Sequence, residues 1–207
     1  ANQIYFNKSE SPQPLVNKLI RLAAFQNPEF YKAQAMRMSV WNTPRIIGCA
    51  ENFPQHIGLP RGCLDDVQTL LQENAIKLVL HDERFAGEPI DVRFAGKLRP
   101  DQEAALVGML EHDTGILCAP TAFGKTVAAA ALIAKRKAST LVLVHRSDLL
   151  RQWQERLVQF LDIPSADVGV IGTGKHKPGG KIDIALLQTL ARKDDLSNFL
   201  DGYGHII

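Results

Sequence analysis

The chain has 207 residues, of which 45% are hydrophobic, and its 24 Lys and Arg nearly balance its 22 Asp and Glu. This composition is typical of a globular protein and excludes a disordered chain. The net charge of +2 is spread evenly, with 11 basic and 10 acidic residues in 1–97 and 13 and 12 in 98–207. Bulk charge therefore gives no argument for nucleic-acid binding, and neither half is a basic arm.

Cysteine usage and hydropathy indicate the compartment. Cys49, Cys63 and Cys118 are odd in number and lack the spacing of metal ligands, so a disulfide framework or a zinc site is not expected. No apolar run approaches the ~20 residues that a membrane-spanning helix needs, and the start lacks a signal-peptide pattern. We therefore expect a cytoplasmic protein with no membrane partner.

Residues 1–95 are predicted to form a small α/β domain. Asn27, Pro28 and Glu29 indicate a helix start, because Asn caps the helix, Pro suits its first position and an acid suits its first turn. Phe30, Tyr31 and Trp41 are interpreted as core residues of this domain. The predicted elements are helices over 14–25, after Asn27 and over 64–71, and strands over 45–50, 76–81 and 90–94.

Residues 96–207 follow a different rhythm, in which apolar strands alternate with helices. This alternation predicts a parallel sheet with helices on both faces, and a domain boundary near Gly96. The predicted helices cover 102–111, 125–137 and 147–161, and the predicted strands cover 115–119, 141–145, 168–171 and 182–187.

The strongest motif is APTAFGKT at 119–126, which has P-loop spacing with Ala119 in place of the first glycine. Backbone N–H groups of such a loop and of the following helix converge on phosphate oxygens, and Gly124 lets the backbone approach them. Lys125 would reach the β- and γ-phosphates, and Thr126 would hold Mg²⁺. A chance match occurs in roughly one chain in a hundred of this length, and the strand–loop–helix context favours a nucleotide site. The predicted nucleotide-binding residues are Gln102, Pro120, Thr121, Ala122, Phe123, Gly124, Lys125 and Thr126.

Residues around the loop suggest further contacts, each with a plainer alternative. Gln102 can read adenine through its amide, or can be an exposed helix residue. Arg146 ends a strand at the sheet edge where ligands bind, and is either a phosphate contact or a solvent-exposed cap. The basic loop GTGKHKPGGK, with Lys175, either touches a nucleic-acid backbone or is simply solvated. Thr189 follows a strand and can donate to a phosphate.

These motifs together resemble a known family. LRPDQ, APTAFGKT, LVLVHRSDLLRQW, IALLQTL and YGHII stand in the order found in the first motor domain of superfamily 2 helicases, in the XPB-like and type I/III restriction-like branch. The resemblance covers residues 90–207 and implies a P-loop RecA-like fold and ATP-driven movement on DNA. It also implies Gln102 at the adenine, Lys125 and Thr126 at the phosphates and Mg²⁺, and Arg146 and Thr189 facing the nucleic acid.

The resemblance also implies what this chain does not contain. In that family a strand like 205–207 runs into the Asp-Glu pair of motif II, whereas this sequence stops at Ile207. We therefore expect no catalytic residue in this chain and negligible hydrolysis, although the longer parent would be an ATP-dependent helicase. The expected partners are DNA, duplex or single-stranded, and a second RecA-like domain of the parent chain.

The first domain carries its own resemblance. Segment 57–94 resembles the small α/β module that precedes the motor in XPB-like and some phage helicases, where it is thought to engage duplex DNA. RLAAFQNPEFYKAQAMRM and HIGLPRGCLDDV also resemble helicases of TOTE conflict systems, in which a primase-type domain can precede the motor. Two other functions stay open: a nucleic-acid-binding module with a vestigial P-loop, and a small-molecule P-loop kinase, which would need a substrate lid that is not evident here.

Overall fold

The computed structural model describes residues 3–172, 174–192 and 196–207. The chain forms two compact units, which divide between Glu83 and Arg84. The division therefore lies upstream of the position near Gly96 that the change in the strand and helix pattern suggested, and residues 84–95 belong to the second unit.

The first unit is a small α/β structure with an aliphatic core. Its elements are β1 (Gln3–Asn7), α1 (Gln13–Leu22), β2 (Ala24–Gln26), α2 (Pro28–Ala35), β3 (Ile46–Gly48), β4 (Glu51–Asn52), β5 (His56–Pro60) and α3 (Leu64–Glu73). Strand β5 is the centre of a three-stranded antiparallel sheet of order β1-β5-β4, and β2 and β3 form a separate antiparallel pair. Leu19, Ile57, Leu59 and Val67 are fully buried where α1 and α3 meet β5.

Helix α2 begins as predicted but does not contribute to the core. The Asn27 side chain accepts a hydrogen bond of 3.0 Å from the backbone N–H of Glu29, which confirms the cap. No residue of α2 is buried, and Trp41 is 84% exposed, so the prediction that Trp41 is a core residue is wrong. The aliphatic side chains of α1, α3 and β5 already fill the core, which leaves the segment after α2 outside it. Residues 76–81 form no strand, contrary to prediction.

The second unit is built on a five-stranded sheet. Its elements are α4 (Pro100–Leu110), α5 (Lys125–Arg136), β6 (Thr140–Val144), α6 (Ser147–Leu161), β7 (Val168–Gly172), β8 (Lys175–Lys177), β9 (Ile182–Leu186), α7 (Leu187–Leu190), α8 (Ser197–Leu200) and β10 (His205–Ile206). The strand order is β10-β6-β9-β7-β8, in which β10, β6, β9 and β7 are parallel and the short β8 is antiparallel to β7. This confirms the predicted parallel α/β fold.

Helices cover both faces of this sheet, as predicted. Side chains alternate along each strand, so Val142 and Ile184 face α5 and α6 while Leu141 and Ala185 face α7 and α8. Successive residues of one strand are therefore buried against different helices. This explains why the strands are continuously apolar in the sequence.

Residues 84–95 add an extended segment to the second unit. Ile90, Val92 and Phe94 point into the main core, and the intervening residues are exposed, which matches the predicted alternation. The segment forms only an isolated bridge from Pro89 to Ala138 rather than a strand. Its packing explains why the boundary between the units falls before it.

The segment that precedes the P-loop is not a strand in this structure. Residues 115–119 have no strand pairing, and the side chain of Ile116 is 96% exposed. The predicted strand here is therefore wrong, because no described strand runs beside these residues to share backbone hydrogen bonds.

Candidate functional site

The loop from Ala119 to Thr126 turns sharply into the N-terminus of α5. Ala122 and Gly124 adopt left-handed conformations, with φ of 67° and 83°. Gly124 is the N-cap of α5, and its carbonyl accepts hydrogen bonds from the N–H groups of Val127 and Ala128 at 2.9 and 3.1 Å. The loop thus presents its own amides and the positive end of a twelve-residue helix to one region, which is an arrangement suited to phosphate.

Helix α4 holds the loop in this shape. The Gln102 side chain is only 3% exposed; its oxygen accepts from the backbone N–H of Arg99 at 2.9 Å, and its amide donates to the Phe123 carbonyl at 2.7 Å. The Arg99 guanidinium donates to the same carbonyl at 2.8 Å and lies 5.8 Å from the centre of the Phe123 ring. Gln102 therefore clamps the P-loop.

The clamp also explains the glycine at position 124. A Cβ on Gly124 would lie 2.7 Å from the Gln102 amide nitrogen, so a side chain there would displace the clamp as well as oppose the left-handed backbone.

Lys125 and Thr126 follow at the first positions of α5. The Lys125 ammonium is exposed and donates to the Pro120 carbonyl at 3.3 Å, so it closes the loop upon itself. This weak contact leaves the ammonium free to turn toward a phosphate. Thr126 is half-buried, and Pro120, Thr121 and Ala122 are exposed, so the loop is accessible to a ligand.

A second feature is an open cleft of about 1110 Å³ at the carboxyl ends of β6, β7 and β9. It brings together Arg146 and Thr189, which the sequence had predicted separately as nucleic-acid contacts. The cleft also contains Arg192, which was not predicted as a nucleic-acid contact. The only indication in the sequence was its position three residues after Thr189. The cleft is lined by His145, Arg146, Ser147, Asp148, Gly172, Gly174, Leu186, Gln188, Thr189 and Arg192.

The charged groups of this cleft are partly paired. The Arg146 guanidinium donates to both Asp148 oxygens, at 3.0 and 2.6 Å, and this hydrogen bonding lowers the pKa of Asp148. Gln188 donates to the His145 carbonyl at 2.8 Å and so ties α7 to the end of β6. Lys175 lies in β8, and its side chain is outside the part of the chain that the structure describes.

A buried carboxylate shapes the basic loop beside the cleft. Asp183 in β9 is fully buried and accepts from the N–H groups of Gly179 and Gly180 at 2.7 and 2.9 Å. It also accepts from the Tyr203 hydroxyl. Burial and this hydrogen bond both raise the pKa of Tyr203, which therefore remains a donor at neutral pH. Gly169 lies so close that a Cβ there would overlap the Asp183 carboxylate.

Two absences hold for the described ranges 3–172, 174–192 and 196–207. They contain no group of three or more His, Cys, Asp or Glu side chains that could hold a metal ion. They also contain no helix that is both long and apolar enough to cross a membrane.

Comparison with known proteins gives one family match. The model of the family described as the type III restriction enzyme res subunit matches residues 95–207, which is more than half of the chain. The match covers α4, the P-loop and every strand of the parallel sheet.

Individual relatives and solved structures agree with that match. The chain is 34% identical over 102 residues to the DNA 3'-5' translocase XPB2 of Sulfurisphaera tokodaii, covering 49% of this chain and 23% of that protein. It is 31% identical over 96 residues to the DNA 3'-5' helicase XPB of Kineococcus radiotolerans, covering 46% of this chain and 17% of that protein. The chain thus spans about a quarter or less of these relatives. A crystal structure of the UvsW helicase from bacteriophage T4 shares its fold with a TM-score of 0.64, at 16% identity, over 95% of this chain and 76% of that one.

Proposed function

Because the chain belongs to the type III restriction enzyme res subunit family, we propose that it binds ATP and DNA as part of an ATP-dependent DNA helicase or translocase. The observation that carries this proposal is the loop 119–126, which α4 clamps at the N-terminus of α5. The open cleft that is lined by Arg146 and Arg192 supports a second, anionic ligand. The XPB2 and XPB relatives are a DNA translocase and a DNA helicase by name, which supports DNA as the partner.

The loop residues suit a triphosphate with its Mg²⁺. The backbone N–H groups of the loop after Pro120 would donate to the phosphates, Lys125 would turn from the Pro120 carbonyl to the β- and γ-phosphates, and the Thr126 hydroxyl would ligate the ion. Gln102 has a lone pair and a second N–H that its present contacts do not use, so adenine recognition is compatible with the clamp. Mg²⁺ keeps several waters and takes few protein ligands, so one hydroxyl together with phosphate oxygens is adequate for binding.

Hydrolysis needs more than binding. P-loop enzymes add an acid that assists Mg²⁺ and a group that positions the attacking water. The chain spans only 23% of the XPB2 relative and 17% of the XPB relative, so most of each of those proteins lies outside the matched part. We therefore expect the 207-residue chain to bind ATP with negligible turnover, and the two acids and a second RecA-like domain to come from the remainder of the parent protein.

DNA binding is assigned to two regions. In the cleft, Arg146 and Arg192 supply positive charge and Thr189 supplies a hydroxyl donor for backbone phosphates. Lys175, in the basic loop of the sequence, is proposed as a further phosphate contact. The N-terminal unit is proposed as a second DNA-engaging module. Contacts of this kind read the backbone rather than the bases, so little sequence preference is expected.

Nucleotide binding is tested by titrating a fluorescent ATP analogue with Mg²⁺ into the wild-type chain, Lys125→Ala and Lys135→Ala. Lys135 is an exposed lysine near the other end of α5 and serves as the matched control. Loss of a charge-assisted contact should weaken binding by roughly 10- to 150-fold for Lys125→Ala and leave Lys135→Ala unchanged. Equal affinity of all three would favour a vestigial loop, and robust phosphate release by this chain would refute the expected inactivity.

DNA binding is tested by fluorescence anisotropy with a labelled oligonucleotide at several salt concentrations. Arg146→Ala should weaken binding and reduce its salt dependence, because one fewer phosphate is neutralised. Arg151→Ala, an exposed arginine one turn further along α6, is the control. Identical salt slopes for wild type and Arg146→Ala would remove the cleft from the proposed interface.

A further inference from the structure

An exposed apolar surface of the first unit has no role in the fold. It lies in the segment that follows α2, a helix that buries no residue. Its most prominent member is Trp41, whose side chain is 84% exposed. Large apolar side chains that are exposed together, rather than scattered singly, indicate a binding site. We call the exposed side chains of Met36, Met38 and Trp41, which are between 59% and 84% exposed and follow one another in the segment 36–41, the Trp41 surface.

The loop that carries Trp41 is held by hydrogen bonds at both ends. After α2, the N–H of Met38 donates to the Ala33 carbonyl at 2.9 Å. At the other end, the buried Asn27 side chain donates to the Pro44 carbonyl at 2.8 Å, and the Asn27 N–H donates to the Arg45 carbonyl at 3.0 Å. A loop fixed in this way presents the indole to a ligand at little cost in conformational entropy.

The charge around the Trp41 surface selects the class of ligand. Residues 21–46 contain Arg21, Lys32, Arg37 and Arg45, all exposed, against the single acid Glu29. The chain as a whole has only 24 basic against 22 acidic residues, so its excess of positive charge is concentrated here.

One of these cations is held beside the indole-bearing loop. The Arg45 guanidinium donates to the Tyr31 hydroxyl at 3.0 Å and lies 5.9 Å from the centre of that ring. An apolar protein partner would not require this concentration of cations. Exposed aromatic rings interleaved with arginines are the chemistry by which proteins hold single-stranded nucleic acid.

We propose that the Trp41 surface binds single-stranded nucleic acid, with the Trp41 indole stacked on an unpaired base and Arg37 and Arg45 on the flanking phosphates. The inference deepens the proposed DNA-binding function and rests on it, but it assigns the contact to a surface separate from the Arg146 cleft. An unpaired base is required, because the faces of paired bases are covered within a duplex.

The direct test uses tryptophan emission. The chain has two tryptophans, and Trp153 packs against the core of the second unit, so Trp153→Phe leaves Trp41 as the only tryptophan. Titration with a single-stranded oligo(dT) should quench Trp41, whereas an abasic oligonucleotide of the same length and charge should not. Oligo(U) as a second arm distinguishes RNA from DNA. Equal emission with both probes would overturn stacking.

Affinity gives the second measurement, in a chain that keeps Trp153. Trp41→Leu should weaken oligo(dT) binding by roughly 5- to 150-fold, since stacking on an aromatic ring is lost. Trp41→Phe should retain most of the affinity, and duplex binding should change little in either variant. The exposure of Trp41 means that neither substitution should alter the thermal midpoint.

Comparison of Trp41→Leu with Arg146→Ala distinguishes single-strand binding at the Trp41 surface from DNA binding in the Arg146 cleft. Loss of oligo(dT) binding in Arg146→Ala but not in Trp41→Leu would overturn this inference and leave the proposed cleft in place. Loss in Trp41→Leu alone would support the inference and remove the cleft. If Trp41→Leu leaves nucleic-acid affinity intact but converts a dimer to a monomer by light scattering, the surface is a self-association site and the proposal is wrong.

Discussion

Replacement of Asp183 by Asn should destabilise the second unit strongly although it changes hardly any volume. The carboxylate is fully buried and receives three hydrogen bonds, from the N–H groups of Gly179 and Gly180 and from the Tyr203 hydroxyl. An Asn has one acceptor oxygen instead of two. Its NH₂ group would face a backbone N–H that also donates, so the buried NH₂ would have no acceptor and the backbone N–H would lose its partner.

The expected magnitude follows from the number of bonds. A hydrogen bond to a charged group contributes about 1.5–3 kcal/mol, and an unpaired buried donor costs about 1–3 kcal/mol. We therefore expect Asp183→Asn to lower the free energy of unfolding by about 3–5 kcal/mol. Tyr203→Phe removes one donor and leaves the two glycine contacts, so it should cost about 1.5–3 kcal/mol. The double variant should cost less than the sum, because both substitutions break the same bond.

The assay must report the second unit alone, since the chain has two compact units. In a Trp41→Phe background, Trp153 on α6 is the only tryptophan, and its emission during urea unfolding follows this unit. Urea unfolding followed by circular dichroism should show a transition with the same midpoint as the Trp153 emission. A loss below about 1 kcal/mol for Asp183→Asn, or strictly additive losses in the double variant, would refute the assigned network.

Three further substitutions test the site and its surroundings. Asp148→Asn should tighten DNA binding by about two- to fivefold at low salt, because Arg146 would no longer have an ion-pair partner that competes with phosphate. Fluorescence anisotropy measures the affinity, and weaker DNA binding by Asp148→Asn would contradict the prediction. Gly124→Ala should lower ATP affinity at least about tenfold and stability by about 1–3 kcal/mol, because it strains the backbone and displaces Gln102; unchanged analogue binding would contradict it. Burial lowers the pKa of His205 to about 4 in the folded chain. As the pH falls from about 6.5 to about 4, His205 therefore takes up a proton in the unfolded chain but not in the folded chain. The free energy of unfolding should decrease through that pH window. His205→Asn should remove about 1–2 kcal/mol of this loss after solvent screening, as measured by urea midpoints at pH 7 and pH 4.5.

The sequence predicted well those features that depend on local periodicity. Helix α6 occupies Ser147–Leu161 as expected, and the strands near 141, 168 and 182 form one parallel sheet. Continuous apolar runs are decisive here because each strand is covered on both faces. The strand predicted at 115–119 had the same composition but lacks a neighbour, and pairing is a tertiary property that no local pattern contains.

The aromatic residues of the first unit show a different limit. Hydrophobicity placed Trp41 in a core, yet whether a small unit has room for an indole depends on how completely other elements fill it. Here α1, α3 and β5 fill the core with aliphatic side chains, and Trp41 lies outside. A residue type enriched in cores is also one used for recognition, so composition alone does not distinguish the two uses.

Gln102 shows why the site itself was only half predictable. The spacing of LRPDQ from the P-loop suggested a ligand contact, whereas the structure reveals a bond across 21 residues to the Phe123 carbonyl. That bond constrains the peptide between two left-handed residues, Ala122 and Gly124, which are conformations that the surrounding structure must enforce. The packing of Leu106 on α4 against α5 keeps the clamp in reach. Adenine bound at Gln102 would therefore act on the same side chain that shapes the phosphate loop, so base recognition and phosphate binding should be energetically coupled.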